Sequence, residues 1–248
     1  MDLKKLCLEL AKSDHGDDVK KILKKNKLWD DMSYWESVGG PSWRDKNNES
    51  IIGAQQSDPI NALVEKFINS GDSTLMLKAR ENNIDPNSKE APKSVQEGME
   101  KFLGVKDGKW VNVLKGKRIK ISKEFCNLVA TGGTGPGAKP TMTVFDHAEG
   151  QAPERFEDTF LGIIASIKTT VKFVQGKFGM GGFGAVKFCY IDGLQLIISK
   201  RNPKIQDGLS SDFGFTVIRK FEATEDYGSS HWKYLKINNL IPSFSAKT

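Results

Sequence analysis

The order of apolar and polar positions divides the chain into a helix-rich front and a strand-rich end. Apolar residues recur at roughly helical spacing across residues 1–28 and again across 156–164. Ser57-Asp58-Pro59 predicts the start of a further helix that runs to about Arg80, because aspartate caps a first turn and proline fits into it. Later runs rich in β-forming residues predict strands at 141–146, 194–200, 213–221 and 232–237.

Turn-forming residues mark three further segments. Residues 108–123 alternate apolar and polar positions with Gly116 at the turn, which predicts a β-hairpin. Residues 130–140 are predicted to form a flexible loop. Residues 174–188 are predicted to form a glycine-rich loop that runs into a helix.

Aromatic residues cluster near the N-terminus. Trp29, Tyr34, Trp35 and Trp43 lie around a Gly-Gly-Pro sequence, which indicates a segment that docks on the domain or on a partner. Docking on the domain is favoured, because clustered tryptophan usually belongs to a core. Residues 1–50 are therefore interpreted as an N-terminal helical and Trp-rich arm, and residues 51–248 as the domain itself.

The succession of elements favours an α+β fold, a two-layer α/β sandwich. The late strands follow one another without crossover helices, which argues against a doubly wound parallel sheet.

Composition narrows the class of protein. The 248 residues carry a net charge of +6, and the apolar runs are too short to span a bilayer, so we expect a soluble, cytoplasmic protein. The three cysteines are far apart in sequence, which argues against a disulfide framework or a cysteine-based zinc site. Nine of the 24 glycines fall within 132–137 and 176–184, and such clustering is typical of tight loops near a ligand.

The first candidate constellation lies on the helix predicted after residue 57. Spacings of four and three residues place Glu65, Asn69 and Asp72 on one face. A glutamate in a cleft can deprotonate water, and an asparagine oxygen is a hard ligand suited to Mg²⁺. The alternative is an ordinary solvated helix face.

The second constellation follows the strand predicted at 141–146. Asp146 ends this strand and Gly150 follows four residues later. A carboxylate there can accept a hydrogen bond from an exocyclic amine such as N6 of adenine. The alternative is a plain β-turn with an Asx cap.

The third constellation is a glycine-rich loop with Gly176, Gly179 and Gly181, to which Lys177 adds a positive charge. Backbone N–H groups exposed by such a loop can bind phosphate oxygens. The alternative is a flexible hinge. The loop is neither a Walker A motif nor a Rossmann fingerprint, because the residues that accompany those motifs are missing.

Taken together and in this order, E-x-x-x-N-x-x-D, D-x-x-x-G and G-x-x-G-x-G resemble the motifs of the Bergerat-fold ATPases. This superfamily, also called GHKL, includes DNA gyrase, the ninety-kilodalton heat-shock chaperone, sensor histidine kinases, MutL and the MORC proteins. The segment GKFGMGGFGA is most similar to that of the chaperone. The resemblance covers about residues 51–200 and implies the Bergerat ATP-binding fold.

The resemblance implies a role for each motif residue. Glu65 would be the general base, Asn69 would bind Mg²⁺, and Asp72 would support the nucleotide side of the helix. Asp146 would bind adenine N6 while Gly150 lets the base approach. Phosphate contacts and a mobile lid would come from Lys168, Gly176, Lys177, Gly179 and Gly181.

Two positions depart from the superfamily pattern. Ala148 stands where the second motif usually has glycine. A later strand of the superfamily carries a threonine that supports the adenine-binding aspartate, and Thr216 is the candidate for it here. The residues around Thr216 match that strand poorly, and the alternative expectation is that the chain is truncated at its C-terminus, before the strand.

The implied function is Mg-dependent binding and slow hydrolysis of ATP, with lid closure coupled to homodimerisation or to a nucleic-acid or protein partner. Similar QGKFxMGG segments in bacterial ATP-binding proteins imply a role in a defence system. One alternative is an ATP-regulated nucleic-acid-binding or protein-interaction module without turnover. Another is a non-enzymatic nucleic-acid-binding domain, based on the basic residues Lys115, Lys117, Arg118, Lys120 and Lys123.

A histidine-kinase activity is disfavoured. None of His15, His147 and His231 lies in a long helical segment beside an acidic residue, as a phosphoacceptor histidine would.

Overall fold

The computed structural model describes residues 1–40, 48–54, 56–133, 135–163, 170–176, 183–189, 192–205, 207–224 and 228–245. Its fold is mixed α+β with antiparallel sheets, as the sequence predicts. The described helices are α1 (Leu3–Ala11), α2 (Gly16–Lys25), α3 (Asn48–Ala54), α4 (Pro59–Glu81), α5 (Val95–Gly98), α6 (Lys115–Phe125) and α7 (Phe156–Thr159). The described strands are β1 (Trp35–Ser37), β2 (Asn127–Thr131), β3 (Thr141–Phe145), β4 (Gln195–Lys200), β5 (Phe213–Phe221), β6 (His231–Leu235) and β7 (Ser243–Phe244).

The main sheet is built around β5. Strand β4 pairs antiparallel with the first part of β5, and β6 pairs with its last part. Strand β7 pairs with the start of β5, and β1 pairs with the outer edge of β6. The three long strands predicted at the end of the chain are therefore confirmed as an antiparallel meander, in which successive strands are neighbours.

Hydrophobic clusters cover both faces of this sheet. On one face, Phe215 and Val217 of β5 pack with buried leucines of α1 and α2, including Leu6 and Leu10. On the other face, Ile218 packs with residues such as Phe156, Phe183 and Trp232. The first 40 residues thus share a core with the late strands and contribute β1 to the sheet. The boundary at residue 50 stays a prediction.

Helix α4 forms as its sequence predicts. The Asp58 carboxylate accepts the N–H groups of Ile60 and Asn61, and Pro59 occupies the first turn. The C-terminal half of α4 buries Leu75 and Ala79 in a third cluster, together with Phe173. This packing fixes the helix that carries the first candidate constellation.

The hairpin predicted at 108–123 is wrong, because Lys115–Phe125 is helix α6. Ile121 and Phe125, four residues apart, pack together against the third cluster. The alternating apolar positions of the sequence therefore belong to a helix. Ile121 and Phe125, one turn apart, pack on the protein, and the remaining residues of α6 face solvent. Strand β2 was not predicted, and it pairs with β3 to form a separate two-stranded sheet.

Two other predicted helices are shorter than expected. Helix α7 is a single turn, which ends as Leu161 N–H bonds the carbonyl of Phe156 directly before Gly162. The helix expected after the glycine-rich loop is a 3₁₀ turn, Val186–Phe188. None of the helices in the described part of the chain is long and apolar enough to cross a bilayer.

The aromatic segment docks on the sheet, as predicted, through a buried arginine. The Arg219 guanidinium carbon lies 3.8 Å from the ring centroid of Trp29, 4.3 Å from that of Trp35 and 3.9 Å from that of Phe221. Its Nη2 donates to the Trp29 carbonyl at 2.8 Å. Burial lowers the pKa of Arg219 to about 10, and the negative charges of nearby aspartates oppose that shift. Trp43 lies outside the described residues.

Replacing Arg219 by lysine is expected to lower the free energy of unfolding by about 2 kcal/mol, because an ammonium group cannot stack flat on three rings while bonding Trp29. Chemical denaturation measures the change. The exposed Arg118→Lys variant is the matched control, and it should change stability by less than about 0.5 kcal/mol. Equal stability of the two variants would contradict a structural role for the stacked guanidinium.

Candidate functional site

The first and third constellations meet at Asp72. This side chain of α4 is only 3% exposed. Its Oδ1 accepts the N–H of Gln175 at 2.9 Å, and its Oδ2 accepts the N–H of Gly176 at 2.7 Å. Charge-assisted bonds of this kind offset the cost of burying a carboxylate. Asp72 therefore fastens the start of the glycine-rich loop to the helix.

Gly176 also lies against Asn69. A Cβ atom added at Gly176 would lie 3.0 Å from Asn69 Oδ1 and 3.1 Å from Asp72 Oδ2. These separations are tighter than ordinary contacts, so a side chain here would require its neighbours to shift by a few tenths of an ångström. Residues 69, 72 and 176, which the sequence assigns to two separate motifs, are brought together.

The second constellation rests on the same helix. The backbone N–H of Glu149 donates to Ser73 Oγ at 3.2 Å, one residue after Asp72. Asp146 Oδ1 accepts the N–H of Ala148 at 3.1 Å, which is the Asx-type turn that the sequence offered as an alternative. The turn after β3 is therefore held in shape locally and seated on α4.

A half-buried thiol lies beside this turn. Burial raises the pKa of Cys126; a hydrogen bond with Ser70 opposes that shift, and the charge of Asp146 adds to it. Ser70 follows Asn69 on α4, so Cys126 lies close to both this helix and the Asp146 turn. No local pattern in the sequence marks Cys126 as part of a site.

The surrounding backbone requires glycine at position 150. Its φ is +60°, and a Cβ atom there would overlap the carbonyl group of Lys200. Arg201, which follows Lys200 in the chain, donates from Nη1 to the Gly150 carbonyl at 2.9 Å. The approach of an adenine base, which the resemblance implies for this glycine, stays a prediction.

An ion-pair network centred on the buried residues Glu149 and Arg201 lies beside Gly150. The carboxylate of Glu149, which is 6% exposed, receives Arg80 Nε at 2.7 Å and lies 3.4 Å from Arg201 Nη1. Arg201 also pairs with Asp207, and Asn202 Nδ2 donates to the Ala148 carbonyl at 2.9 Å. The network ties the C-terminal end of α4 and the end of β4 to the Asp146 turn. Sequence reasoning missed these residues, since no local pattern pairs positions 149 and 201.

Glu65 lies two turns before Asp72 on α4 and is half-buried. Its neighbour Lys66 has a pKa lowered to about 8 by burial, with Cys189 and Glu65 acting in the opposite direction. Glu65 therefore lies next to a lysine that carries its positive charge less readily than an exposed lysine would.

The remaining predicted site residues are placed as follows. Thr216 is buried in β5 and donates its hydroxyl to the Leu235 carbonyl at 2.8 Å. Within the described ranges, no group of three or more histidine, cysteine, aspartate or glutamate side chains could hold a metal ion. Four of the predicted site residues lie outside the described ranges, namely Lys168, Lys177, Gly179 and Gly181.

Comparisons with protein-family models, with curated proteins and with solved structures gave no match to this chain. The convergence of three motifs on α4 is therefore the main ground for assigning a function.

Replacing Gly150 by alanine is expected to destabilise the protein by about 3 kcal/mol or more, because left-handed strain adds to the overlap with Lys200. Gly137→Ala is the matched control. Gly137 also has a positive φ, of +78°, but nothing lies within 4 Å of its missing Cβ. The control should therefore lose only about 1–2 kcal/mol. Thermal and chemical denaturation measure both, and equal losses would mean that the Lys200 contact is unimportant.

Proposed function

We propose that this protein binds ATP with Mg²⁺ and hydrolyses it slowly, at a site on the Asn69–Asp72 face of α4, and that its α+β fold is of the Bergerat type. One observation carries the proposal. The glycine-rich loop begins on Asp72, beside Asn69, and the Asp146 turn rests on the neighbouring Ser73. Three motifs that begin at residues 65, 146 and 176 of the sequence thus meet between Asn69 and Ser73, within little more than one turn of a single helix.

Glu65 and Asn69 supply the chemistry in this proposal. Glu65 accepts a proton from the attacking water, as a general base does. The Asn69 amide oxygen is suited to Mg²⁺, which typically takes one or two protein oxygens, several waters and substrate phosphates. The described residues fit that mode of binding and not an all-protein cage. Bound Mg²⁺ would neutralise charge on the phosphates during transfer.

The adenine and phosphate contacts come from the other two motifs. Asp146 Oδ1 is engaged by Ala148, and its second oxygen has no partner among the described residues, which leaves an acceptor for adenine N6. Backbone N–H groups that follow Gly176 bind phosphate oxygens. Asp72, whose carboxylate accepts two backbone N–H groups, fixes where that loop begins.

The wider assignment follows from the resemblance. Closure of the glycine-rich segment over ATP is coupled to homodimerisation or to engagement of a partner, in a cytoplasmic protein of a bacterial defence system. The alternative is a module that binds ATP without significant turnover. The ATPase and the binding module differ in whether Glu65 acts as a general base for hydrolysis.

The proposal is tested by measuring ATP binding and phosphate release with Mg²⁺. Glu65→Ala should retain ATP affinity within about threefold and lose turnover by about 10²- to 10⁴-fold, the usual contribution of a general base. Asp146→Asn should weaken ATP binding by about tenfold or more, as expected for loss of a charged hydrogen-bond acceptor. Glu100→Ala, on an exposed residue, is the control and should alter neither.

Failure of the wild-type protein to bind ATP would overturn the proposal. Full turnover by Glu65→Ala would remove Glu65 as the base. Binding without turnover by the wild-type protein would favour the alternative module.

A further inference from the structure

The positive charge of this chain is concentrated in one short segment. Residues 104–125 carry seven lysines and arginines against two acidic residues, a net charge of +5 out of the +6 of the whole chain. The remaining residues are close to neutral. Such asymmetry is typical of a surface that meets a polyanion.

Helix α6 presents this charge to solvent. It carries five basic residues, at positions 115, 117, 118, 120 and 123, and all five are exposed. Within the described part of the chain, none of the five side chains forms an ion pair or a hydrogen bond. Elsewhere, lysines such as Lys78, Lys204 and Lys236 pair with carboxylates. The cations of α6 are therefore available to an external partner.

The orientation of α6 is fixed by its apolar residues. Ile121 and Phe125 pack against the third cluster, and Phe125 seats directly on Gly71 of α4. At 100° per residue, the opposite side of the helix carries Lys115, Ile119 and Lys123 in one line, flanked by Lys120. The outward face is thus basic along its whole length.

The geometry of this face suits the phosphate backbone of a nucleic-acid duplex. Lys115 and Lys123 are eight residues apart, which is about 12 Å along the helix axis. The same length of duplex carries about seven phosphate charges. The outward face has no aromatic residue for stacking on bases, so its contacts would be independent of sequence.

A membrane surface fits this face less well. Helices that lie in a bilayer interface insert an apolar face, and the apolar face of α6 is already packed on the protein. Its outward side has a single apolar residue, Ile119. Val111 and Leu114 are also exposed, in the segment before α6, which makes vesicles a necessary comparison.

We propose that the outward face of α6, formed by Lys115, Lys120 and Lys123 with the neighbouring Lys117 and Arg118, is a docking surface for the phosphate backbone of double-stranded nucleic acid. The inference goes beyond the proposed ATPase function and does not depend on it, because no residue of this face belongs to the candidate site.

The test is fluorescence anisotropy with a labelled DNA duplex of arbitrary sequence, between 50 and 200 mM salt (about 25 base pairs, with an RNA duplex in parallel). Three to five phosphate contacts predict a slope of log K against log salt of about −3 to −4.5. The triple variant Lys115→Gln, Lys120→Gln, Lys123→Gln should bind at least about tenfold more weakly and lose about 2–3 units of slope.

The matched control removes three charges from another helix. Lys4, Lys5 and Lys12 are exposed residues at α1, and their triple glutamine variant has the same net charge as the α6 variant. It should keep affinity within about twofold and lose less than about one unit of slope. Circular dichroism should show unchanged helix content for both, since every substituted side chain faces solvent.

Three results would overturn the proposal. They are no duplex binding by the wild-type protein at low salt, equal losses in the two triple variants, and binding to phosphatidylserine-containing vesicles without binding to duplexes. A loss confined to the α6 variant supports it, whether or not the protein hydrolyses ATP.

Discussion

Two hydrogen bonds to a buried carboxylate hold the candidate site together. Asp72 accepts the N–H groups of Gln175 and Gly176, which lie more than a hundred residues further along the chain. A carboxylate buried to this extent would be costly without such donors. Asp72 therefore depends on the backbone of the glycine-rich loop for its hydrogen bonds. Asn69 and Ser73 lie on the same helix as Asp72, so their positions are fixed together with it.

The remaining packing keeps α4 in place for this purpose. The third cluster holds its C-terminal half. Phe125 of α6 packs directly on Gly71, and its ring atom Cζ lies 2.8 Å from the position that a Cβ atom of residue 71 would take. The Glu149 network anchors the Asp146 turn at the end of β4. On the far side of the sheet, stacked Arg219 joins the N-terminal aromatic residues to β5. The basic helix and the candidate site thus share one structural support.

The sequence predicts best what local chemistry determines. The cap of α4 at Asp58, the late strands and the shared face of Glu65, Asn69 and Asp72 follow from residue spacing alone. The sequence of α6 predicts a hairpin because its apolar residues alternate over a short window. The packing of Ile121 and Phe125 against the third cluster distinguishes the two possibilities.

Contacts between distant residues could not be predicted in this way. No local pattern indicates that Arg201 lies on the Gly150 carbonyl, or that Lys200 excludes a side chain at position 150. The sequence offered two explanations for Asp146, an Asx turn and an adenine contact. The turn bond to Ala148 engages one carboxylate oxygen and is compatible with both.

Hydrogen exchange with and without Mg-ATP tests most directly whether the three motifs form one site. If they do, nucleotide should slow amide exchange together in peptides that cover residues 65–73, 146–151 and 170–176. Exchange in α1, at residues 3–11, should stay unchanged. Slowing in only one of the three peptides, or in none of them, would mean that the three motifs do not form one nucleotide site.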